Sequence, residues 1–410
     1  MDLDAGAPQP EHVPRSPLRL LALRNFGPYF FGNLLSSIGT WIQSIALALL
    51  IFRLTGSTFL VAMTSFAQFS GLIVLAPWTG SVADRFDRRR LIVLMQVSAS
   101  LAGGVLALVT FLGLATPVWL IGTAFLFSIS KAFVVPAQQA LVPNLVERKD
   151  LQGAIALNAI TFNLARAIGP VVGAAVILTL GFTWAFSFNA LSYLALAGAV
   201  MIVRVEGHDD RPPAGRTAFR DTIRLVRKDP LIGPLLVAVA AVAIAVDPVT
   251  NLTPAFTVDI YGRPDTFTGV LIGIFGLGAA FTAALLVTRV RASFRNISLA
   301  MTGLGLAIIT FGMSASATVG LAALFAGGIM YMISISLATT LMQLNVAETH
   351  RGRVMALWGV AFLGTRPAAS LLDGSVATFA NLRVAALVMA IPALAGAVFI
   401  ARRRRRSQPA

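Results

Sequence analysis

The segment Gly80-Ser-Val-Ala-Asp84-Arg85-Phe-Asp-Arg88-Arg89-Arg90 is a charged stretch between two long apolar runs. The runs cover residues 58–80 and 92–113, and each reaches the length of about 20 residues that a helix needs to cross a bilayer. A charged loop between two such runs is typical of a chain that crosses a membrane, turns and crosses back. The segment therefore predicts a polytopic membrane protein.

Apolar runs of this length recur along the chain and predict an all-α membrane protein with twelve transmembrane helices. With 57% hydrophobic and 12% charged residues among 410, the chain has more apolar surface than a water-soluble protein can bury. The predicted spans are residues 27–51, 58–80, 92–113, 118–142, 154–180, 182–203, 232–257, 267–288, 297–316, 318–343, 354–373 and 381–401.

Basic residues are divided unevenly between the two sides of these spans. Of the 32 Lys and Arg residues, 26 fall on the side of both termini, three on the opposite side and three inside spans. Basic residues stay on the cytoplasmic side during insertion, so we expect both termini to be cytoplasmic. The Arg402 to Arg406 run is expected to contact anionic membrane lipids. Because the other basic residues are spread over many loops, no nucleic-acid partner is expected.

The longest polar segment, residues 204–230, separates six spans from six. We predict a cytoplasmic N-tail (1–25), an N-terminal six-helix bundle (26–203), a cytoplasmic linker (204–230), a C-terminal six-helix bundle (231–401) and a basic cytoplasmic tail (402–410). An offset of 200 residues superposes Leu157 on Leu357 and Arg166 on Arg366. Parallel, pseudo-symmetric halves would produce such matches.

In its position between the second and third spans, the charged segment resembles the signature loop of the major facilitator superfamily. The matching residues are Gly80, Asp84, Arg85, Arg88 and Arg89, whereas Asp87 stands where the family usually has Gly. The resemblance implies the major facilitator fold and a gating loop. The acid matching Asp84 would lie at the N-terminus of the eleventh span, held by the basic residues, and close the cytoplasmic side until a conformational change releases it.

A second resemblance lies in the fifth span. Residues 165–174, Ala-Arg-Ala-Ile-Gly169-Pro170-Val-Val-Gly173-Ala, are similar to the Gly-Pro motif of proton-coupled exporters in this superfamily. Small residues four apart allow close helix contact, and Pro170 removes a backbone donor and bends the helix. Because Ala165 and Ala174 replace two family glycines, a plain small-residue packing seam is the alternative.

Further runs resemble a narrower exporter branch, of the transmembrane secretion effector type, that includes enterobactin exporters and lysophospholipid transporters. They are residues 39–43, 136–143, 158–170 and 351–355. The loop after the eighth span, residues 289–295, keeps basic residues but lacks the Gly and Asp of its first-half counterpart. The resemblance implies a secondary exporter.

Ionisable residues inside the spans are the candidate transport residues, since each costs about 2.5–3.5 kcal/mol on insertion scales. Lys131, Arg166 and Arg366 are expected near the middle of the bilayer, and Asp247 somewhat further out. Asp373 is expected at the outer rim, in contact with headgroups or outer loops. Three cations against two carboxylates favour anionic or acceptor-rich substrates.

Asp247 is our candidate proton carrier, because Pro248 breaks its span and a buried carboxylate can respond to conformation. The alternative is a permanent ion pair with Lys131 or an arginine. Candidates to line a substrate cavity are Gln43, Lys131, Gln138, Asn158, Asn163, Arg166, Asn251 and Arg366. Each uncharged residue in this set could instead form an interhelical hydrogen bond.

The sequence lacks the residues that several kinds of functional site require. The chain has no cysteine, its three lysines do not follow glycine, and its three histidines lie in predicted tails or loops. Disulfides, thiolate metal sites, a phosphate-binding loop and a paired-histidine metal site are therefore not expected. We predict neither a cofactor nor a bound metal, and no enzymatic activity.

The sequence thus predicts a secondary exporter in the bacterial cytoplasmic membrane. It would move a siderophore, antibiotic or other drug-like small molecule by alternating access, with protons as the coupling ion, as a monomer. One alternative is a lysophospholipid translocator of the same fold, and another is a membrane sensor or scaffold that transports nothing.

Overall fold

A computed structural model describes residues 17–75, 78, 79, 82, 86–203, 229, 231–286, 289–346 and 348–406. The regular structure of these residues is helical, without strands. Its long helices are α1 (Phe26–Thr55), α2 (Thr58–Val74), α3 (Arg88–Phe111), α4 (Pro117–Leu141), α5 (Leu151–Thr179), α6 (Phe182–Ile202), α7 (Ile232–Ala245), α8 (Phe267–Phe281), α9 (Phe294–Met313), α10 (Ala317–Asn345), α11 (Glu348–Leu363), α12 (Arg366–Phe379) and α13 (Leu382–Arg406).

These helices account for the twelve predicted crossings, because α11 and α12 are two parts of the eleventh. Within the described residues, eight helical segments are individually long and apolar enough to span a membrane, and shorter apolar helices add to them. Two crossings are interrupted where the prediction had continuous spans. The helix α7 ends before Pro248 and continues to Ile260 in short helical pieces, while α12 restarts at Arg366 with Pro367 in its first turn. Proline lacks the backbone donor that would continue either helix.

The helices pack as two halves with the same internal arrangement. In the first half α1 packs on α5 and α6, α3 packs on α4 and α6, and α2 packs on α4. The second half repeats these contacts, with α7 on α11 and α13, α9 on α10 and α13, and α8 on α10. The halves meet where α5 contacts α8 and where α12 contacts α2, which are equivalent pairs. The structure therefore has the pseudo-symmetry expected of two parallel repeats.

One end of the molecule carries only short turns, and we call it the short-loop end. It comprises the connections after α1, α3, α5, α9 and α12 together with residues 261–266. Gly56 illustrates why such turns are tight. It lies just beyond α1 with φ of 62°, and its N–H donates to the Phe52 carbonyl at 2.7 Å, which is a glycine-dependent helix termination. The opposite end, where α1 begins and α6 ends, is called the terminal end.

The two halves are in close contact at the short-loop end. Gly269 at the start of α8 lies so close to α5 that a methyl group built on it would be 2.9 Å from the Ala174 Cβ. Gly374 of α12 packs in the same way against Ala62 of α2. Small residues thus let both pairs of helices approach closely.

An ion pair adds to this closure. The Arg53 guanidinium at the end of α1 donates to both carboxylate oxygens of Asp265 in the second half, with 2.8 Å between Nη2 and Oδ1. Arg53 also lies 4.9 Å from the centre of the Phe182 ring. Its hydrogen bonds hold the pKa of Asp265 below the usual value.

The apolar clusters show that the halves separate toward the terminal end. In the described residues, the cluster of Leu20, Phe26 and Leu141 at this end belongs wholly to the first half. The cluster nearer the short-loop end includes Ala255 and Ile272 of the second half. The apolar clusters therefore join the halves near the short-loop end and not in the cluster at the terminal end.

We predict that Asp265→Asn loosens the short-loop end. An exposed ion pair is worth about 0–1 kcal/mol, so its loss should raise the population of the open form by at most about fivefold. Since the sequence has no cysteine, spin labels on Leu114→Cys and Ala315→Cys, in turns of opposite halves, report the separation directly.

The lowered pKa of Asp265 fixes the pH dependence of this effect. The ion pair contributes its full stabilisation above the pKa of the unfolded state, which is about 3.9. This contribution is lost as the pH falls through the lower pKa that Asp265 has in the folded protein. The wild-type distances should therefore be constant from about pH 7 to about pH 5. Asp259→Asn, at an exposed position just before this turn, is the control. Identical distances in the Asp265→Asn protein and the wild type would contradict a latch at this position.

Candidate functional site

A cleft between the two halves lies beside the mid-span charged residues. Its empty volume is about 540 Å³ with the adjoining open space included. Both halves contribute to its walls, which include Trp41, Ser44, Arg166, Pro170, Val246, Thr250, Phe275, Tyr331 and Arg366. Two of the predicted mid-span cations, Arg166 and Arg366, therefore border this cleft.

Arg166 of α5 reaches across the cleft to the second half. Its guanidinium carbon lies 4.8 Å from the centre of the Tyr331 ring and 5.6 Å from that of Phe362, and Nη2 is 3.3 Å from the Met332 sulfur. Only 5% of the residue is exposed. Aromatic faces attract a desolvated cation by about 2 kcal/mol or more, which helps to offset the loss of water.

Arg366, the pseudo-equivalent of Arg166, reaches in the opposite direction. It begins α12, and its guanidinium carbon lies 5.2 Å from the Phe69 ring centre and 5.9 Å from that of Trp41, both in the first half. It also lies 5.3 Å from the Phe362 ring. The two arginines therefore cross between the halves and share the Phe362 ring.

Lys131 of α4 lies near Arg366. Its ammonium nitrogen is 5.8 Å from the centre of the same Phe69 ring that Arg366 faces. Lys131 is half-buried. Three cations are thus gathered around aromatic rings in the middle of the molecule.

The carboxylates form a separate buried cluster where α7 and α12 meet. The Asn251 Nδ2 donates to Asp247 at 2.9 Å and to Asp373 at 3.3 Å. The Ser370 hydroxyl donates to Asp247 at 2.6 Å, and the Ser65 hydroxyl of α2 donates to the Asn251 carbonyl oxygen at 2.6 Å. Asp247 is 4% exposed and both Asp373 and Asn251 are 0% exposed. We call these five residues the carboxylate cluster.

The prediction that Asp373 lies at the outer rim is wrong. The structure buries it fully, because α12 continues to Phe379 instead of ending at the predicted boundary and packs against α2. The spacing of residues along the helix could have indicated that Asp373 is buried. Arg366, Ser370 and Asp373 are separated by four and three residues and share one face of α12, as Asp247 and Asn251 share one face across the break in the seventh crossing.

Two uncharged candidates, Gln138 and Asn158, belong to a chain of hydrogen bonds inside the first half. The Gln138 amide donates to Asn33 at 3.0 Å, and the Asn33 amide donates to Asn158 at 3.0 Å. These hydrogen bonds connect α4, α1 and α5, and Asn33 was not among the residues predicted from the sequence. The side chain of another candidate, Asn163, lies outside the described residues.

Gln43, a further cavity candidate, is a buried interhelical contact. Its side-chain oxygen accepts a hydrogen bond from the Asn189 amide of α6, and only 1% of the residue is exposed. It is not among the residues that border the cleft.

The gating-loop residues are only partly described. Gly80, Asp84 and Arg85 lie outside the described residues. Arg88 donates to the Ala140 carbonyl at 3.2 Å, and Arg89 donates to the carbonyls of Val200 and Met201 at 3.2 and 2.9 Å. These carbonyls lie at the C-terminal ends of α4 and α6, where a cation is favoured by the helix dipole.

The Gly-Pro segment forms a packing seam on α1. The helix α5 runs unbroken through Pro170, Gly169 faces Trp41, and a methyl group on Gly173 would lie 3.1 Å from the Ile42 Cα. The neighbouring Ala174 contacts Gly269 of the other half. This segment therefore positions the cleft residues of α1 and also joins the halves.

A model of the transmembrane secretion effector family matches residues 14–409. The chain belongs to this family. It is accordingly a multi-pass membrane transporter of the major facilitator type and not an enzyme, as the sequence predicted.

Curated relatives and a solved structure are consistent with this assignment. The chain is 25% identical over 348 residues to macrolide efflux protein A of Streptococcus pyogenes, and the match covers 80% of this chain and 83% of the relative. It is 27% identical over 366 residues to the enterobactin exporter of Citrobacter koseri, covering 85% and 84%. The POT family transporter PepTSo has the same fold, with a TM-score of 0.71, 11% identity and coverage of 96% and 99%.

We predict that Gln43→Met destabilises the protein without changing its affinity for cargo. The substitution leaves the buried Asn189 amide without its acceptor, which costs about 1–3 kcal/mol. Thermal unfolding in detergent and a cargo concentration series measure the two effects. Gln139→Met, at an exposed position of α4, is the matched control. A selective change in cargo affinity with unchanged stability would place Gln43 in the transport path instead.

Proposed function

We propose that this protein exports a small molecule across the bacterial cytoplasmic membrane by alternating access, in exchange for protons. The observation that carries the proposal is the juxtaposition of two elements at mid-span. A cleft bordered by both halves holds Arg166 and Arg366, and a buried carboxylate cluster lies next to it at the breaks of two crossings.

The direction of transport is supported by charge distribution and by the relatives. The excess of Lys and Arg on the side of the termini favours a cytoplasmic location for both tails and for the residue 204–230 linker. The terminal end would then face the cytoplasm, so the cleft would open to the side where an exported compound is loaded. The efflux and export proteins among the relatives transport in this direction, as their names state.

Proton coupling is assigned to the carboxylate cluster. Two ionised carboxylates around one amide repel each other, and each also loses hydration in a buried site. Transfer of a proton to Asp247 or Asp373 relieves both costs, and exposure to water in another conformation allows its release. Asp247 remains the proposed carrier, with Asp373 sharing the site.

Asn251 provides a physical connection between this proton and the two halves. Its amide nitrogen donates to both carboxylates of the second half, while its oxygen accepts from Ser65 of the first half. Protonation of a carboxylate changes the acceptor of the Asn251 amide, so it alters the contact that ties α2 to the seventh crossing. Alternating access requires such a contact, whose strength differs between loaded and empty states.

The remaining assignments are part of the same proposal. The chain works as a monomer of two six-helix bundles, 26–203 and 231–401. Asp84, Arg85 and the neighbouring Gly80 close the cytoplasmic side in the opposite conformation, while Arg88 and Arg89 anchor the loop on α4 and α6. Membrane lipids contact the tail at 402–410.

The test is cargo uptake into inverted membrane vesicles, with and without a proton gradient, over a panel of siderophores, antibiotics and lysophospholipids. We expect gradient-driven uptake in the wild type. Asp247→Asn should lose gradient-driven uptake but retain exchange of cargo between the two sides, because a neutral amide resembles the protonated acid. Asp259→Asn, in the same crossing at an exposed position, should behave as the wild type.

Each other outcome points to a different mechanism. Unchanged gradient-driven uptake in the Asp247→Asn protein removes Asp247 as the carrier. Lysophospholipid movement that needs no pH gradient identifies a lipid translocator of the same fold. A correctly folded protein that moves no compound in the panel overturns the transport proposal and favours a sensor or scaffold.

A further inference from the structure

The cleft contains two guanidinium groups that approach a single aromatic ring. Arg166 and Arg366 come from opposite halves, yet their guanidinium carbons lie 5.6 and 5.3 Å from the centre of Phe362. Lys131 adds a third positive charge through the shared Phe69 ring. Like charges gathered in a desolvated region repel each other. The attraction between Asp247 and Arg366 offsets part of this repulsion, and an anion in the cleft would offset more of it.

Arg366 borders the cleft and has a buried donor without an acceptor. The residue is 7% exposed, and among the described residues its buried Nε has no hydrogen-bond partner. A buried guanidinium N–H without an acceptor is costly. A side-chain shift that turns this N–H toward the cleft would let it donate to an acceptor that enters there.

The carboxylate cluster does not supply that acceptor. Asp247 accepts hydrogen bonds from Ser370 and Asn251, and within the described part of the chain it forms no ion pair with Arg366. One face of α12 thus contributes both to the carboxylate cluster, whose carboxylate Asp247 already accepts hydrogen bonds, and to the cleft, which Arg366 borders.

Aromatic side chains form much of the wall around this cation. Trp41, Phe275 and Tyr331 border the cleft, and the rest of the wall is largely apolar, including Ile45, Val246 and Val249. Such a wall suits a ring or another flat apolar body, whereas guanidinium groups suit the planar oxygen pair of a carboxylate.

We infer that the cleft binds compounds in which a carboxylate or similar anionic oxygen group is attached to an aromatic body. The anionic group lies at Arg366 and Arg166, and the ring lies against the aromatic wall. This inference rests on the proposed export function and specifies the chemical class of the cargo.

Binding to the purified full-length protein in detergent tests the inference without any gradient. The probes are salicylate, salicylamide and benzylamine, which share one ring and differ in charge. We expect saturable salicylate binding by calorimetry, with salicylamide and benzylamine at least about tenfold weaker. Because this comparison uses the wild type alone, it does not depend on the folding of any variant.

Substitutions then locate the binding group. Arg366→Gln should weaken salicylate binding at least about tenfold, and Arg366→Lys should recover part of the loss, since it restores charge but not the planar fork. Arg383→Gln is the matched control, because Arg383 donates to the Met313 carbonyl at the short-loop end, away from the cleft. Thermal unfolding of each variant verifies that it is folded.

The results that overturn the inference differ from those that overturn the export proposal. Absence of saturable salicylate binding, equal binding of salicylamide, or unaltered binding by a folded Arg366→Gln protein each contradicts the anionic site. If gradient-driven uptake of a cationic or neutral compound persists in that case, export stands and only the cargo class is wrong. Salicylate binding without transport of any compound would instead support the anionic site and contradict export.

Discussion

The cost of an ionised side chain in hydrocarbon is the constraint on which this structure depends. Lys131, Arg166, Asp247, Arg366 and Asp373 lie well inside the crossings, and each costs about 2.5–3.5 kcal/mol on insertion scales. The protein places them at the junction of its halves, where aromatic faces contact the cations and amide or hydroxyl groups donate to the carboxylates. We therefore propose that the transport site is located where these charges are tolerated.

The pseudo-symmetry of the fold explains how the two arginines are arranged. A residue of the fifth crossing and its equivalent in the eleventh lie on opposite sides of the cleft, so Arg166 reaches second-half rings and Arg366 reaches first-half rings. Separation of the halves would remove both sets of cation–π contacts together. These contacts thus depend on conformation, as does the hydrogen bond between Ser65 and Asn251. In the proposed mechanism, this small set of mid-span interactions responds both to cargo and to the relative position of the halves.

Sequence patterns predicted the number and order of the crossings, because apolar length is a local property that needs no knowledge of packing. They also selected Arg166 and Arg366 as candidate transport residues, since a mid-span charge is costly wherever the helix lies, and both border the cleft in the structure. Asp373 was misplaced because its depth depends on where α12 ends. For Gln43 the sequence left a cavity position and an interhelical hydrogen bond open, and the structure has it accepting a hydrogen bond from Asn189. A sequence does not show which partner helix a side chain meets, so such alternatives stay open until the packing is known.

The central claim is that water reaches the mid-span charges through a cleft that opens only at the terminal end. The absence of native cysteine allows a direct measurement with Ser44→Cys, which borders this cleft. A membrane-impermeant thiol reagent should modify it rapidly in inverted vesicles and slowly in right-side-out vesicles, while Ser192→Cys, buried between α1 and α6, stays unmodified in both. Protection of Ser44→Cys from both sides, or equal modification from the two, would contradict the account.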